Sequence, residues 1–334
     1  MSQPEVSALV TYYGKSPFFA EAFRSVARQS LSVEKFEVVV VTDQPRKDIE
    51  SEVHPGCPEV VVVSSHEECK GKFMLDGMRS CRGKVVSILN HDDTWEPNKL
   101  ESVLRAFKEN TEVGFYRNGL RWVDERNVER PELAGYRRTG SKGASNRLLM
   151  PPYPRAIGAY GLGFNDSSIA ISRALVLKQA EFMENVWAAE DTFLLYCAMV
   201  ANTGLYVDMS PLTRYRVYPG NSSVVNASDR DRAVQALSKE FGRRLQTYRV
   251  VDRMVRSSSA ATIEPFVARD LAVASLLSSL LEPGSVGTVL SRSVDVLRHG
   301  SMVNPSMNMV LAGIGGLRIL STTLPRSLLV TLGF

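Results

Sequence analysis

KVVSILNHDD, residues 84–93, runs from a valine-rich apolar stretch straight into two adjacent carboxylates, Asp92 and Asp93. A short run that is rich in β-branched residues and free of charge reads as a strand buried on both faces, the kind a parallel sheet uses. Two like charges at its mouth repel each other and stay solvated. A polar turn, or a cap for the helix that follows Pro97, is one reason to place them there. A divalent cation holding a diphosphate is another, because magnesium and manganese take few carboxylates plus phosphate oxygens. On the pair alone both readings stay open.

Outward from this stretch, VSALVTYY (6–13), FEVVVVTD (36–43) and EVVVVSS (59–65) are three more runs of the same kind. Between the first two, Phe18, Ala22, Phe23, Val26 and Ala27 recur at helical spacing behind Ser16 and Pro17, a cap and a first-turn proline. Pro97 opens a second helical pattern through Leu100, Val103, Leu104 and Phe107. Strand and helix in alternation predict an α/β fold: a mostly parallel central sheet with helices on both faces. Ligands of such sheets bind beyond the carboxyl ends of the strands. Tyr13, Asp43 and the Asp92–Asp93 pair all fall at such ends.

The periodicity fails between Asp124 and Tyr160, where glycine, proline and arginine crowd together and predict a long loop or lid. SSIAISRALV then predicts a strand leading into a short helix, and WAAEDTFLLYCAMVANTG a helix closed at Gly204. Val207 and TRYRVY (213–218) predict two more strands. From Ala227 onward the pattern is helical and basic, with Arg230, Arg232, Lys239, Arg243, Arg244, Arg249, Arg253 and Arg256 between apolar positions. This divides the chain into a ligand-binding domain, 1–226, and a helical C-terminal region, 227–334.

Bulk composition is that of a soluble globular chain: 44 % hydrophobic and 23 % charged, with a net charge of +4 over 334 residues. So mild a charge gives no indication of nucleic acid as a partner. The four cysteines form no Cys-x-x-Cys pair, which fits reduced thiols in the cytoplasm. The first residues lack a basic-then-apolar leader, and no run approaches the roughly 18 apolar residues of a spanning helix.

Among residues suited to chemistry, Asp43 ends a strand where an acid can accept hydrogen bonds from a ribose or base. Glu190 and Asp191 open a helix, a position that favours acids electrostatically and holds a general base rigidly. Lys72, Arg82 and the group Arg137, Arg138, Lys142 and Arg147 could neutralise phosphates. For each residue taken alone, an ordinary surface or turn role is as good an account.

The ordered set resembles family 2 glycosyltransferases of the GT-A fold, which is Rossmann-like. ALVTYYGK matches the family's opening strand, which ends in a tyrosine-containing turn over the nucleotide. VVVVTD matches the second strand with its base-reading acid. GKFMLDGMRSCRGKVVSILNHDD matches the spaced glycines before the Asp-x-Asp region. AAEDTFLLYCAMVANTGLYV matches the Glu-Asp segment whose aspartate is usually the catalytic base. The resemblance spans residues 5–220. Asn90 stands where the leading aspartate usually does, and TDQP replaces the common Asp-Asp-Gly-Ser. The Gln-x-x-Arg-Trp motif of processive synthases is absent, which favours transfer of one sugar.

What the resemblance implies is an inverting, hexosyltransferase-type reaction from a nucleotide sugar, with UDP the expected carrier. Thr11, Tyr12, Tyr13, Asp43, Lys72 and Asp92 would bind the nucleotide. Asp93 and Asp92 would hold Mn2+ or Mg2+, and Asp191 would act as base beside Glu190. Loop 137–147 would close over the diphosphate. The acceptor would be a glycan or a lipid-linked hydroxyl. The basic C-terminal helices and apolar tail would dock on an anionic membrane surface, at the inner face of the cell membrane, or else form a cap or a homo-oligomer interface. Two rivals remain: a nucleotidyltransferase, which would need a glycine-rich phosphate loop after the first strand, and a non-catalytic nucleotide-sugar-binding module.

Overall fold

Val6–Tyr12 (β1), Phe36–Thr42 (β2), Val60–Ser64 (β3) and Val85–Asn90 (β4) lie parallel, with β1 paired to both β2 and β4 and β2 paired to β3. Between them run helices α1 (Phe19–Ala27), α2 (Arg46–Glu50) and α3 (Lys70–Ser80). The computed structural model describes residues 3–53, 56–134, 145–154, 161–218 and 230–281, with Ser291 and Asp295. After β4 come a two-residue strand Thr94–Trp95 (β5), α4 (Lys99–Glu109) and β6 (Val113–Val123). Then follow β7 (Arg147–Leu149), β8 (Ile169–Ser172), α5 (Arg173–Lys178), α6 (Ala180–Met183), α7 (Glu190–Val200) and β9 (Gly204–Arg216). The strand order is β3-β2-β1-β4-β8-β6-β9-β5, with β7 on β9; β8 runs antiparallel between β4 and β6. The sheet is mixed but mostly parallel, as the alternation of runs predicts.

Alternate residues of β1 and β2 explain why those strands carry no polar face. Ala8, Val10, Val38 and Val40 pack under Phe19, Phe23 and Val26 of α1 and Leu100 and Leu104 of α4. On the opposite face α3 lies so close that a side chain at Gly77 would collide with Leu9 and Val41. Fully burying a Val or Leu contributes about 1.5–3 kcal/mol, so helices on both faces are the arrangement that uses every residue of these runs.

Three details differ from the sequence reading. Both prolines precede their helices: α1 begins at Phe19, with the Ser16 hydroxyl accepting the Phe18 N–H at 3.3 Å, and α4 begins at Lys99. The two strands expected at Val207 and at 213–218 are one, β9, which absorbs Pro211 in an irregular register against Gly119. Strand β6 lies in a stretch for which the sequence reading names no element; buried Arg117 and Asn118 sit within it.

The chain divides into two compact units, the first ending at Val217. The second contains α8 (Arg230–Arg256) and α9 (Glu264–Leu281), which pack against one another; Leu237, Phe241, Val251 and Met254 of α8 and Val267 and Leu277 of α9 are buried. Lys239, Arg249, Arg253 and Arg256 are exposed on α8. The apolar tail 302–334 lies outside the described residues. Among those described, no helix is long and apolar enough to cross a membrane.

Candidate functional site

The carboxyl ends of β1, β2 and β4 meet at one edge. Thr11 is buried, and its hydroxyl donates to Asn90 Oδ1 at 2.8 Å, stitching β1 to β4. Tyr12 turns into the core and stacks on Phe19 at 4.0 Å. Tyr13 is 42 % exposed, edge-on to His91 at 4.8 Å, with the Lys70 ammonium 5.9 Å from its ring centre. Asp43 accepts the Gly14 N–H at 3.0 and 3.1 Å, so it shapes the turn that carries Tyr13. Burial holds His91 below its usual pKa and Thr11 O receives its backbone N–H, a turn-filling role.

Asp92 and Asp93 point into different surroundings. Asp93 is 1 % exposed and accepts three hydrogen bonds: Asn165 Nδ2 at 2.9 Å, Ser167 Oγ at 2.6 Å and Arg216 N–H at 2.9 Å. Burial and the adjacent Asp92 carboxylate push it up to about 7 against the pull of those donors. Asp92 stays partly exposed at the turn. Arg216 secures both: its Nε donates to Asp92 O at 2.8 Å, and its remaining nitrogens reach Glu125 O and Glu21.

Across from this turn stands α7. Ala189 precedes it in the left-handed conformation, φ 56°, with no side-chain cap. Asp191 Oδ1 accepts its neighbour Thr192 N–H at 2.7 Å, and Oδ2 accepts the Asn165 N–H at 2.9 Å. Glu190 is buried with Lys70 Nζ 3.8 Å away. Beneath lies Arg117, 2 % exposed, which burial lowers to about 10 while the Asp191 charge opposes the shift.

Several residues of this edge went unread in the sequence. Lys70, at the start of α3, faces the acids; Lys72 instead pairs with Glu67 at 2.5 Å. Gly71 permits this, since its N–H donates to Val186 O at 2.8 Å and a side chain there would strike Met183 and Val186. Arg82 belongs to the opposite edge, bound to Glu37 and Glu59 near the amino ends of the strands. Asn165, Asp166, Ser167 and Arg216 follow no motif and could be found only by folding the chain. Arg137, Arg138 and Lys142 lie outside the described residues, and Arg147 begins β7.

Among the described residues, no group of three or more His, Cys, Asp or Glu is arranged to hold a metal ion. Asp92, partly exposed at the end of β4, is nevertheless a donor of the kind magnesium or manganese uses, since these ions bind through one or two carboxylates with phosphate oxygens completing the set.

Comparison with known proteins bears on this edge. The Glycosyl transferase family 2 profile matches residues 7–169. An uncharacterised glycosyltransferase of Nostoc sp. is 20 % identical over 271 residues, covering 78 % of this chain and 79 % of its own. Another, from Rickettsia prowazekii, is 26 % identical over 98 residues, 29 % of this chain and 30 % of its own. The crystal structure of S. aureus TarS 1-349 in complex with UDP-GlcNAc superposes with a TM-score of 0.65 at 14 % identity, covering 98 % of this chain and 92 % of that one. A mannosyltransferase from Pyrobaculum calidifontis, in complex with GDP-Man and Mn2+, gives 0.50 at 17 %, covering 96 % and 88 %. The shared fold is GT-A.

Proposed function

We propose that this chain, a glycosyltransferase whose residues 7–169 belong to glycosyl transferase family 2, moves one sugar from a nucleotide-sugar donor to a hydroxyl of a glycan or lipid-linked acceptor with inversion. UDP is the carrier we put first. The observation that carries this reading is Asn165, which bonds Asp93 at the end of β4 through its side chain and Asp191 on α7 through its backbone. That single residue brings a phosphate-side turn and a candidate base to one edge.

As the anomeric bond breaks, a nucleoside diphosphate gathers negative charge. A divalent metal, when bound, supplies Lewis-acid neutralisation of that charge. Asp92 is the residue we assign to hold it; Asp93, its oxygens already engaged, orients the turn. Lys70 adds a positive charge on the same side. Asp191 would take the proton of the attacking acceptor hydroxyl, held at hydrogen-bond reach by the Asn165 and Thr192 N–H groups. Tyr13 offers an exposed ring beside the nucleotide strand.

Calorimetry with UDP-, GDP- and dTDP-sugars, with and without manganese, tests the donor. Asp191→Asn is then expected to bind the same sugar nucleotide while donor turnover falls by about 10²–10⁴, the usual contribution of a general base. An Asp191→Asn chain that turns over normally would sink the assignment.

A further inference from the structure

One side-chain oxygen on each of two successive residues at this edge, Oδ1 of Asn165 and Oδ1 of Asp166, is buried without a hydrogen-bond partner among the described residues. The residues are 7 % and 8 % exposed. Buried acceptors without donors are destabilising and uncommon in native interiors, and each one asks for an explanation. Asn165 is the residue that joins the Asp93 turn to Asp191, and Asp166 follows it in the chain.

Asp166 is the less comfortable of the two. Burial first, then the charges of Glu190 and Asp191, hold its carboxyl well above the usual range, opposed by Lys70 and by a hydrogen bond from the Asn90 side chain. A neutral carboxyl can donate one hydrogen bond and accept another, which is what a sugar hydroxyl also does. Asn90 accounts for the position: its Oδ1 receives the Thr11 hydroxyl at 2.8 Å while its amide serves Asp166. An aspartate at 90 would set two carboxyls in contact.

Resting on the donor reading above, we propose that Asp166, with Asn165 beside it, forms the subsite for the hydroxyl groups of the transferred sugar. The link through Asn90 to Thr11 puts this subsite on the β1–β4 side, close enough to Asp191 to feel its charge. A site built to hydrogen-bond a hydroxyl discriminates strongly against ligands lacking it, because its own polar groups are then left unpaired.

The test uses the full chain and two kinds of probe: UDP alone, and a panel of UDP-GlcNAc, UDP-glucose, UDP-galactose and GDP-mannose. For Asp166→Ala, UDP affinity should stay within about twofold of native, and affinity for the sugar nucleotide that binds best should fall at least tenfold. Its Tm should stay near native, since the lost Asn90 bond is offset by removal of a buried carboxyl with one unpaired oxygen. Asp166→Asn keeps the shape and guards against misfolding; it should show the same split at smaller amplitude. Equal affinity of native and Asp166→Ala chains for the sugar nucleotide overturns the subsite. So does a parallel loss of UDP binding and Tm in both variants, which would mark Asp166 as structural. A native chain that binds UDP but no sugar nucleotide of the panel also overturns it. Binding of neither strikes the donor reading itself.

Discussion

Asp93 and Asp191 accept hydrogen bonds from the same residue: Asn165 gives its side-chain N–H to one and its backbone N–H to the other, each at 2.9 Å. Its backbone is left-handed there, φ 68°. Glycine would keep that conformation and lose only the side chain. Asn165→Gly should therefore cost about 1–3 kcal/mol, the penalty for a buried acceptor short of a donor. Urea denaturation measures it, and an unchanged midpoint would mean that the side-chain bond contributes nothing.

The two aspartates of the turn should separate by experiment. Asp92→Ala is expected to leave Tm near native and to abolish any manganese dependence of nucleotide binding. Asp93→Ala leaves the Asn165, Ser167 and Arg216 donors unpaired, so it should lower Tm markedly. Calorimetry beside a thermal melt distinguishes them, and the reverse pattern would return the metal to Asp93.

Stability should depend on pH through buried carboxyls of opposite tendency, Asp93 and Asp166 held high and Glu37 held low. Asp93 is raised in the fold to about 7, against about 3.9 for a free aspartate. Between those values the folded chain binds more protons than the unfolded one, so stability falls as pH rises through that window. Burial pulls Glu37 upward, but Ser7 and Arg82 outweigh it and hold it low. Its contribution is present above the ordinary glutamate value and is lost as pH falls through its folded pKa. The metal-free chain should thus be most stable in mildly acidic buffer. In Asp93→Asn the decline towards neutrality should flatten; a native-like slope in that variant would assign the effect elsewhere.

On α8, Arg249 and Arg253 are exposed, and a basic residue near an anionic bilayer contributes about 1 kcal/mol. Reversing both to glutamate should weaken co-sedimentation with phosphatidylserine liposomes at low salt and change little on neutral lipid. Equal pelleting of native and reversed chains would turn attention to a helix cap or a self-association face.

What was legible in the sequence was what burial writes locally. Val38 to Val41 declare a strand sunk on both faces, and Asp43 and Asp92 declare where such strands stop. The pairing of Asp92 with Asp93 was legible; which of them faces inward was not, because that depends on Ser167 and Arg216, distant in the chain. Strand β6 went unnamed; its Arg117 and Asn118, though buried, carry the lettering of a surface. Lys70 and Lys72 differ by two positions on one helix, enough to send one towards Glu190 and the other to Glu67.

Ala189 carries a different kind of information. A side-chain-bearing residue held left-handed, at φ 56° and ψ 44°, sits roughly 1–2 kcal/mol above its relaxed shape. Glycine would be more at ease there and would let the first turn of α7 swivel. The alanine obliges the chain to arrive at Glu190 and Asp191 from one direction, so the aim of both acids is set by a bent backbone before any side chain touches them.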